Sequence, residues 1–280
     1  LADATANQSR TSVSSSIVPF QAMPLPANAI VQPIGIIDTS VRLEHNLLKH
    51  ANIEQKSFIA SQQQPTWQHG TAIASVFAAK GITYRGLVPN ATLYSAAVFF
   101  QHPEAGQITT VAYMVEALNW LVAKNVAVVN MSLAGPPNKL LEEVVERICA
   151  KGIKIVAAVG NSGPSSPAQF PAGYSCTIGV TAVDHRQRIY RRAVRGRHVD
   201  LAAYGVNLMH ASDQGLSSSS GTSMAAPFVS AYLAAFAPQS WNEYQQWLDS
   251  LYANTIDLGE PGQDDIYGHG LLPPYGVSKQ

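Results

Sequence analysis

The chain has 280 residues, of which 46% are apolar and only 13% are charged, and its 18 basic and 18 acidic side chains cancel. A chain of this length can bury a sizeable core. The zero net charge argues against nucleic acid or an anionic membrane surface as a partner, and no apolar stretch reaches the length of a membrane span. The chain begins at Leu1 without Met, and we expect a processed or trimmed form.

Residues 1–32 differ in composition from the rest of the chain. They are rich in Ser, Ala and Gln and show little periodicity, which predicts an extended N-terminal arm over the surface. From Pro33 onward, apolar runs alternate with amphipathic segments. We therefore expect an arm at 1–32 and a single domain at 33–280.

Short apolar runs indicate buried strands, and apolar residues at steps of three and four indicate helices. On these criteria we predict strands at 34–37, 93–99, 126–131, 153–159 and 176–183, and helices at 69–79, 108–124, 141–148, 223–236 and 241–253. This alternation predicts an α/β fold with three layers, in which a mostly parallel sheet has helices on both faces. We expect Pro227 in the first turn of its helix, where a missing N–H is tolerated.

Polar residues follow three of the predicted strands, where the carboxyl ends of a parallel sheet meet at one edge. They are Asp38, the segment 132–135 and Asn161. His69 and Ser223 instead open predicted helices, each close to a glycine. The sheet edge therefore collects an acid, an imidazole, a hydroxyl and an amide.

Each of these residues alone has a structural explanation. Asp38 could be a turn residue or a helix cap, Ser223 a cap, Asn161 a turn residue and His69 a core histidine. Together they favour nucleophilic catalysis, because a hydroxyl needs a base, the base needs an orienting acid, and an amide can stabilise an oxyanion.

The segments around these residues match the motifs of the subtilisin-like serine proteases, or subtilases. They are Ile-Ile-Asp-Thr at 36–39, His-Gly-Thr at 69–71, Val-Asn-Met-Ser-Leu-Ala-Gly-Pro at 129–136, Ala-Ala-Val-Gly-Asn-Ser-Gly at 157–163 and Gly-Thr-Ser-Met-Ala-Ala-Pro at 221–227. Their order, Asp before His before Ser, is that of the family. The resemblance implies a subtilisin-like fold and a serine endopeptidase that forms an acyl-enzyme. It assigns Asp38, His69 and Ser223 to the triad and Asn161 to the oxyanion hole.

The resemblance also implies a substrate groove. Family members bind the peptide as an added strand, here between 132–134 and the stretch near Gly106, with a specificity pocket at 132–135 and 157–160 that 161–170 closes. The expected substrate-binding residues are Ser132, Leu133, Ala134, Gly135, Ala158, Gly160, Gly106, Gln169 and Phe170. Gln169 would make the base of the pocket polar.

We expect no cofactor. The segment 79–89 lacks the loop of Asn and Asp ligands that holds a strong calcium site in many family members, although a weaker calcium site elsewhere stays open. The resemblance implies protein or peptide substrates, a pro-segment or a protein inhibitor as a further partner, and a secreted or periplasmic location.

Two other features leave alternatives open. Cys149 and Cys176 are either buried thiols or a disulfide between a helix end and a strand start, and a disulfide favours export. Six arginines form a cluster that we interpret as solvated surface rather than a phosphate site. They are Arg186, Arg188, Arg191, Arg192, Arg195 and Arg197.

Two rival functions compete with the protease. An α/β-hydrolase esterase has the order Ser, acid, His, which Ser223, Asp257 and His269 could supply. Its serine should lie in Gly-x-Ser-x-Gly, however, and too little chain follows Ser223 here. A catalytically silent binding protein with the subtilisin fold is the second rival, and the four intact site residues argue against it.

Overall fold

The computed structural model describes residues 30–213 and 215–273. Most of the predicted arm at 1–32 and the end of the predicted domain at 33–280 lie outside the described residues. The helices are α1 (Gln68–Ala78), α2 (Val111–Ala123), α3 (Lys139–Cys149), α4 (Thr222–Phe236) and α5 (Trp241–Ala253). Within the described ranges, none of them combines the length and apolar character that crossing a bilayer requires.

Twelve strands are present in the described part of the chain. They are β1 (Ile34–Asp38), β2 (Asn52–Ser57), β3 (Gln64–Pro65), β4 (Thr92–Ala97), β5 (Phe100–His102), β6 (Gly106–Ile108), β7 (Val128–Met131), β8 (Lys154–Ala158), β9 (Thr177–Val183), β10 (Leu201–Tyr204), β11 (Leu208–Ser212) and β12 (Gly215–Ser219). Seven of them form a parallel sheet in the order β10-β9-β8-β7-β1-β4-β2. The others form two small antiparallel sheets, β11-β12 and β3-β5-β6.

Side chains along the central strands alternate between the two faces of the sheet. Ile34 and Ile36 pack in the cluster that contains α1 and α4, whereas Ile37 packs in the cluster that contains α2 and α3. Gly35 also faces α2, and a Cβ there would lie only 2.9 Å from a methyl group of Leu121. The three-layer α/β architecture expected from the sequence is confirmed.

The structure differs from the predicted elements at two places where polar residues determine the secondary structure. The edge strand β2 was not predicted, because its side chains are mostly exposed and form no apolar run. Helix α2 begins at Val111 rather than at Ile108, since the Thr110 side chain caps it by accepting the Tyr113 N–H. Ile108 belongs to β6 instead.

Cys149 and Cys176 form a disulfide, with Cα atoms 6.3 Å apart. Cys149 is the last residue of α3, and Cys176 directly precedes β9. Of the two alternatives that the sequence left open, the structure therefore selects the cross-link.

Candidate active site

Three neighbouring strands deliver polar residues to the carboxyl edge of the sheet. β1 ends with Asp38, Ser132 follows β7, and Asn161 lies three residues beyond β8. Helices α1 and α4 carry His69 and Ser223 in their first turns. A cleft of about 320 Å³ is lined by His69, Asn161 and Ser223 together, so residues far apart in the chain share one site.

Asp38 and His69 form a close polar pair at this edge. The Asp38 side chain is 2% exposed, and both its carboxylate oxygens lie 2.8 Å from His69 Nδ1. Because an ionised carboxylate can only accept, Nδ1 carries the proton and Nε2 is left as the acceptor of the neutral ring. Burial acts to lower the pKa of His69, but the charge of Asp38 and its hydrogen bond outweigh burial, and the pKa of His69 is raised.

Backbone contacts fix the position of this pair. The Thr39 N–H donates to Asp38 Oδ1 over 2.6 Å, and the Thr39 hydroxyl accepts the Gly70 N–H over 2.7 Å. Gly70 permits this approach, since a Cβ there would collide with the Thr39 carbonyl oxygen. The start of α1 is thereby held against the end of β1.

The start of α4 orients Asn161. Asn161 Oδ1 accepts the Thr222 backbone N–H over 3.0 Å and the Thr222 hydroxyl over 3.1 Å. With the amide oxygen held in this way, the Nδ2 donor is directed away from Thr222. A Cβ on Gly221 would lie 3.2 Å from Asn161 Nδ2 and 3.4 Å from Ser223 Oγ. The amide donor and the hydroxyl are therefore neighbours.

The Ser223 carbonyl takes an unusual partner because of Pro227. Since α4 begins at Thr222, Pro227 lies beyond the first turn, and our expectation for its position was wrong. Pro227 lacks the N–H that would bond to the Ser223 carbonyl. The Ser132 hydroxyl donates to that carbonyl instead, over 2.8 Å.

A buried chain of hydrogen bonds continues from Ser132 into the protein. Ser132 Oγ accepts from Asn130 Nδ2, and Asn130 Oδ1 accepts from the Ser230 hydroxyl, each over 2.9 Å. Asn130 and Ser230 are fully buried. This chain joins β7 to α4 and supports the backbone of the serine. This chain of bonds was not predicted from the sequence, although Asn130, a polar residue within an apolar strand, was a signal.

Six of the nine expected substrate-binding residues line the cleft, and three do not. Those that line it are Ser132, Leu133, Ala134, Ala158, Gly160 and Gln169. Gly135 and Phe170 pair through their backbones, with both N–H···O distances at 2.9 Å, and the Phe170 ring packs against Tyr174. Gly106 lies at the start of β6.

Three further residues line the cleft that were not among the expected site residues, namely Ser162, Arg192 and Thr222. Ser162 Oγ accepts from Gln169 Nε2 over 2.7 Å, which holds the Gln169 amide near Gly160. Arg192 belongs to the arginine cluster. Nothing in the spacing of those arginines distinguishes the one that reaches the cleft.

The acid and base that an esterase would need lie elsewhere. The His269 ring stacks on Tyr252 with centroids 3.9 Å apart, and His269 and Asp257 line a different cavity from Ser223. In the described part of the chain, no group of three or more His, Cys, Asp or Glu side chains could hold a metal ion. The expectation of no strong calcium site stays a prediction.

Comparisons with known proteins identify a family and several similar chains. The model of the subtilase family matches residues 32–270. The chain is 28% identical over 244 residues to the minor extracellular protease Epr and 31% identical over 252 residues to subtilisin E, both from Bacillus subtilis (strain 168). Each alignment covers 85% of this chain, but only 37% of Epr and 63% of subtilisin E. A solved structure, the S41 psychrophilic protease, is similar with a TM-score of 0.72 and 25% identity, over 86% of this chain and 90% of that one.

Proposed function

This chain belongs to the subtilase family, and we propose on that premise that it is a serine endopeptidase that cleaves peptide bonds through an acyl-enzyme. The observation that carries the proposal is the contact of both Asp38 carboxylate oxygens with His69 Nδ1, beside a cleft that also contains Ser223. This contact leaves His69 Nε2 as the acceptor for a serine proton.

In the acylation step, His69 Nε2 takes the proton of the Ser223 hydroxyl while Oγ attacks the substrate carbonyl carbon. Asp38 fixes the tautomer of the ring and stabilises the imidazolium that forms. His69 then gives the proton to the leaving amine. A water molecule, deprotonated by His69 in turn, hydrolyses the ester.

The oxyanion is stabilised by two donors, one on the loop after β8 and one at the start of α4. One is Asn161 Nδ2, which the bonds between Asn161 Oδ1 and Thr222 hold in position before substrate arrives. The other is the backbone N–H of Ser223, since the first N–H groups of a helix have no intrahelical partner and lie at its positive end.

The substrate binds as an extended strand between the segment 132–134 and strand β6, which begins at Gly106. This arrangement is supported by the position of β6 at the outer side of its small sheet, where one of its edges has no partner strand among the described residues. A pro-segment or a protein inhibitor would occupy the same groove. Gln169, held near Gly160, gives the specificity pocket a polar base.

We also propose that the protein is exported, either secreted or periplasmic. The disulfide between Cys149 and Cys176 supports this location, because disulfides persist in oxidising compartments. The relative Epr is itself named an extracellular protease.

Labelling with a fluorophosphonate probe, followed by cleavage of an unfolded protein substrate, tests the proposed activity. The wild type should be labelled and should cleave. Ser223→Ala should do neither while keeping its circular dichroism spectrum. Ser218→Ala is the matched control, because Ser218 is exposed on β12 and does not line the cleft, and it should keep both properties. A folded wild type that is neither labelled nor active, with its groove free of any bound segment, would contradict the proposal and favour a silent binding protein.

A further inference from the structure

Arg192 is the member of the arginine cluster at 186–197 that lines the cleft. Arg188 forms an ion pair with Asp184 at 2.7 Å, and Arg195 lines a separate cavity. Arg192 instead lines the same cleft as Ser223. The cluster is therefore not uniform, and one of its charges faces the candidate active site.

The backbone around Arg192 is held against the loop that follows β8. The Arg192 carbonyl oxygen accepts the Gly163 N–H over 2.9 Å, and the Val194 N–H donates to the Gly160 carbonyl oxygen over 3.1 Å. These two bonds lie on either side of Asn161 in the facing segment. The point from which the Arg192 side chain extends is thus fixed relative to the oxyanion donor.

Among the described residues, the Arg192 guanidinium has no acidic partner. Across residues 30–213 and 215–273, no carboxylate oxygen lies within 4.0 Å of it. No Asp or Glu lines the cleft, and the nearby Asp38 carboxylate is buried against His69. The cleft therefore carries a positive charge that no group of the described chain neutralises.

We propose that Arg192 is a specificity-determining residue that favours substrates with an Asp or Glu side chain close to the scissile bond. This inference rests on the proposed function. The planar guanidinium matches a carboxylate in two hydrogen bonds. An arginine side chain spans about two residues of an extended peptide, which rise about 3.3 Å each, so the acidic residue lies within two positions of the cut.

The expected preference is moderate because Arg192 is exposed. An ion pair in contact with water gives about a threefold to fivefold gain in kcat/KM for a Glu peptide over the matching Gln peptide. The gain should decrease as salt is added, since screening weakens exposed pairs.

Matched peptides test this inference, with either Glu or Gln at each of the two positions on both sides of the cut. The Glu-to-Gln ratio of kcat/KM is measured for the wild type, Arg192→Gln, Arg192→Glu and Arg191→Gln. Arg191 is the control, because it is adjacent and exposed and carries the same charge, but does not line the cleft. The ratio should exceed one at one position in the wild type, fall to about one in Arg192→Gln, fall further in Arg192→Glu, and persist in Arg191→Gln.

The ratio does not depend on how much of a variant is folded, because both peptides are measured on the same sample. A ratio that Arg192→Gln leaves unchanged would overturn the inference, and so would an equal decrease in Arg191→Gln. A wild type that cleaves Gln and Glu peptides equally contradicts only this inference. A wild type that cleaves no peptide contradicts the proposed function and this inference with it.

Discussion

The two edges of the central sheet each carry an enclosed carboxyl group, in different surroundings. At the carboxyl edge, both oxygens of Asp38 contact the His69 ring. At the amino edge, Asp200 directly precedes β10 and accepts the backbone N–H of Gly179 over 2.7 Å. Burial raises the pKa of Asp200 to about 7. Asp38 is thus buried and paired with a histidine, whereas Asp200 is partly buried and accepts a backbone N–H.

Unpartnered polar atoms gather around Asp200. Thr177 Oγ1, Arg195 Nε and His198 Nε2 are buried without a hydrogen-bond partner in the described part of the chain, and all three residues line one cavity with Asp200. The disulfide lies at this amino edge as well. Among the described residues Asp200 has no ion-pair partner, and its burial favours the protonated form of its carboxyl group.

The same substitution made at both edges should give the largest contrast. Asp38→Asn should lower kcat/KM about 10⁴-fold, because an amide neither fixes the His69 tautomer nor stabilises its cation. Asp200→Asn should leave kcat/KM unchanged. Steady-state kinetics with one peptide measure both variants, and equal losses would remove the distinction between the edges.

The free energy of unfolding should depend on pH through Asp200. The pKa of Asp200 lies above its usual value of 3.8 in the folded protein, so the folded state binds this proton more tightly than the unfolded chain. Its contribution to stability is therefore fully present below pH 3.8 and is lost as the pH rises to about 7. Asp200→Asn should remove this decline, as measured by urea unfolding across that window. A variant that follows the wild type at every pH would contradict the assignment.

Substitution of Asn161 tests whether its Nδ2 donor stabilises the oxyanion at the carboxyl edge. Asn161→Ala should lower kcat about 10²- to 10³-fold, or about 2.7–4 kcal/mol, with little change in KM. Asn161→Asp is the matched variant, because it keeps an oxygen for the Thr222 donors but loses Nδ2. A similar fall in kcat with an unchanged melting temperature would identify the lost donor as the cause. A rise in KM that accounts for the whole effect would count against an oxyanion role.

Removal of the disulfide tests whether the amino edge contributes to stability without contributing to activity. Replacing Cys149 and Cys176 together by Ser opens a cross-link between residues 27 positions apart. The loss should be about 3–4 kcal/mol of unfolding free energy, because the unfolded chain regains loop entropy. Peptide cleavage by the folded variant should stay at the wild-type rate, since the cleft is at the other edge. A lower rate at full folding would show that the edges are coupled.

The periodicity of apolar residues predicted the layers of the fold better than the contacts within the candidate site. Apolar runs report burial, so the layers and the convergence of Asp38 and Asn161 on one sheet edge could be predicted. The hydrogen bond from Ser132 to the Ser223 carbonyl could not, because it depends on an N–H that Pro227 lacks and on two segments that meet only after folding. Arg192 was missed for a related reason: six similar arginines differ only in where the folded backbone directs them.

The pH dependence of activity should be set by His69. Its folded-state pKa is raised above 6.5, despite burial, by the charge and hydrogen bond of Asp38. Since only the neutral ring can accept the serine proton, kcat/KM should fall about tenfold per pH unit below that pKa, with a midpoint above 6.5.

The ion pair between His69 and Asp38 affects stability with the opposite sign. Its contribution to the free energy of unfolding is fully present below pH 6.5 and is lost as the pH rises through the folded pKa of His69. In the residual activity of Asp38→Asn, burial acts without the opposing charge, so the midpoint should move down. A wild-type midpoint at or below 6.5 would mean that Asp38 does not stabilise the imidazolium, and the contrast with Asp200 would lose its physical basis.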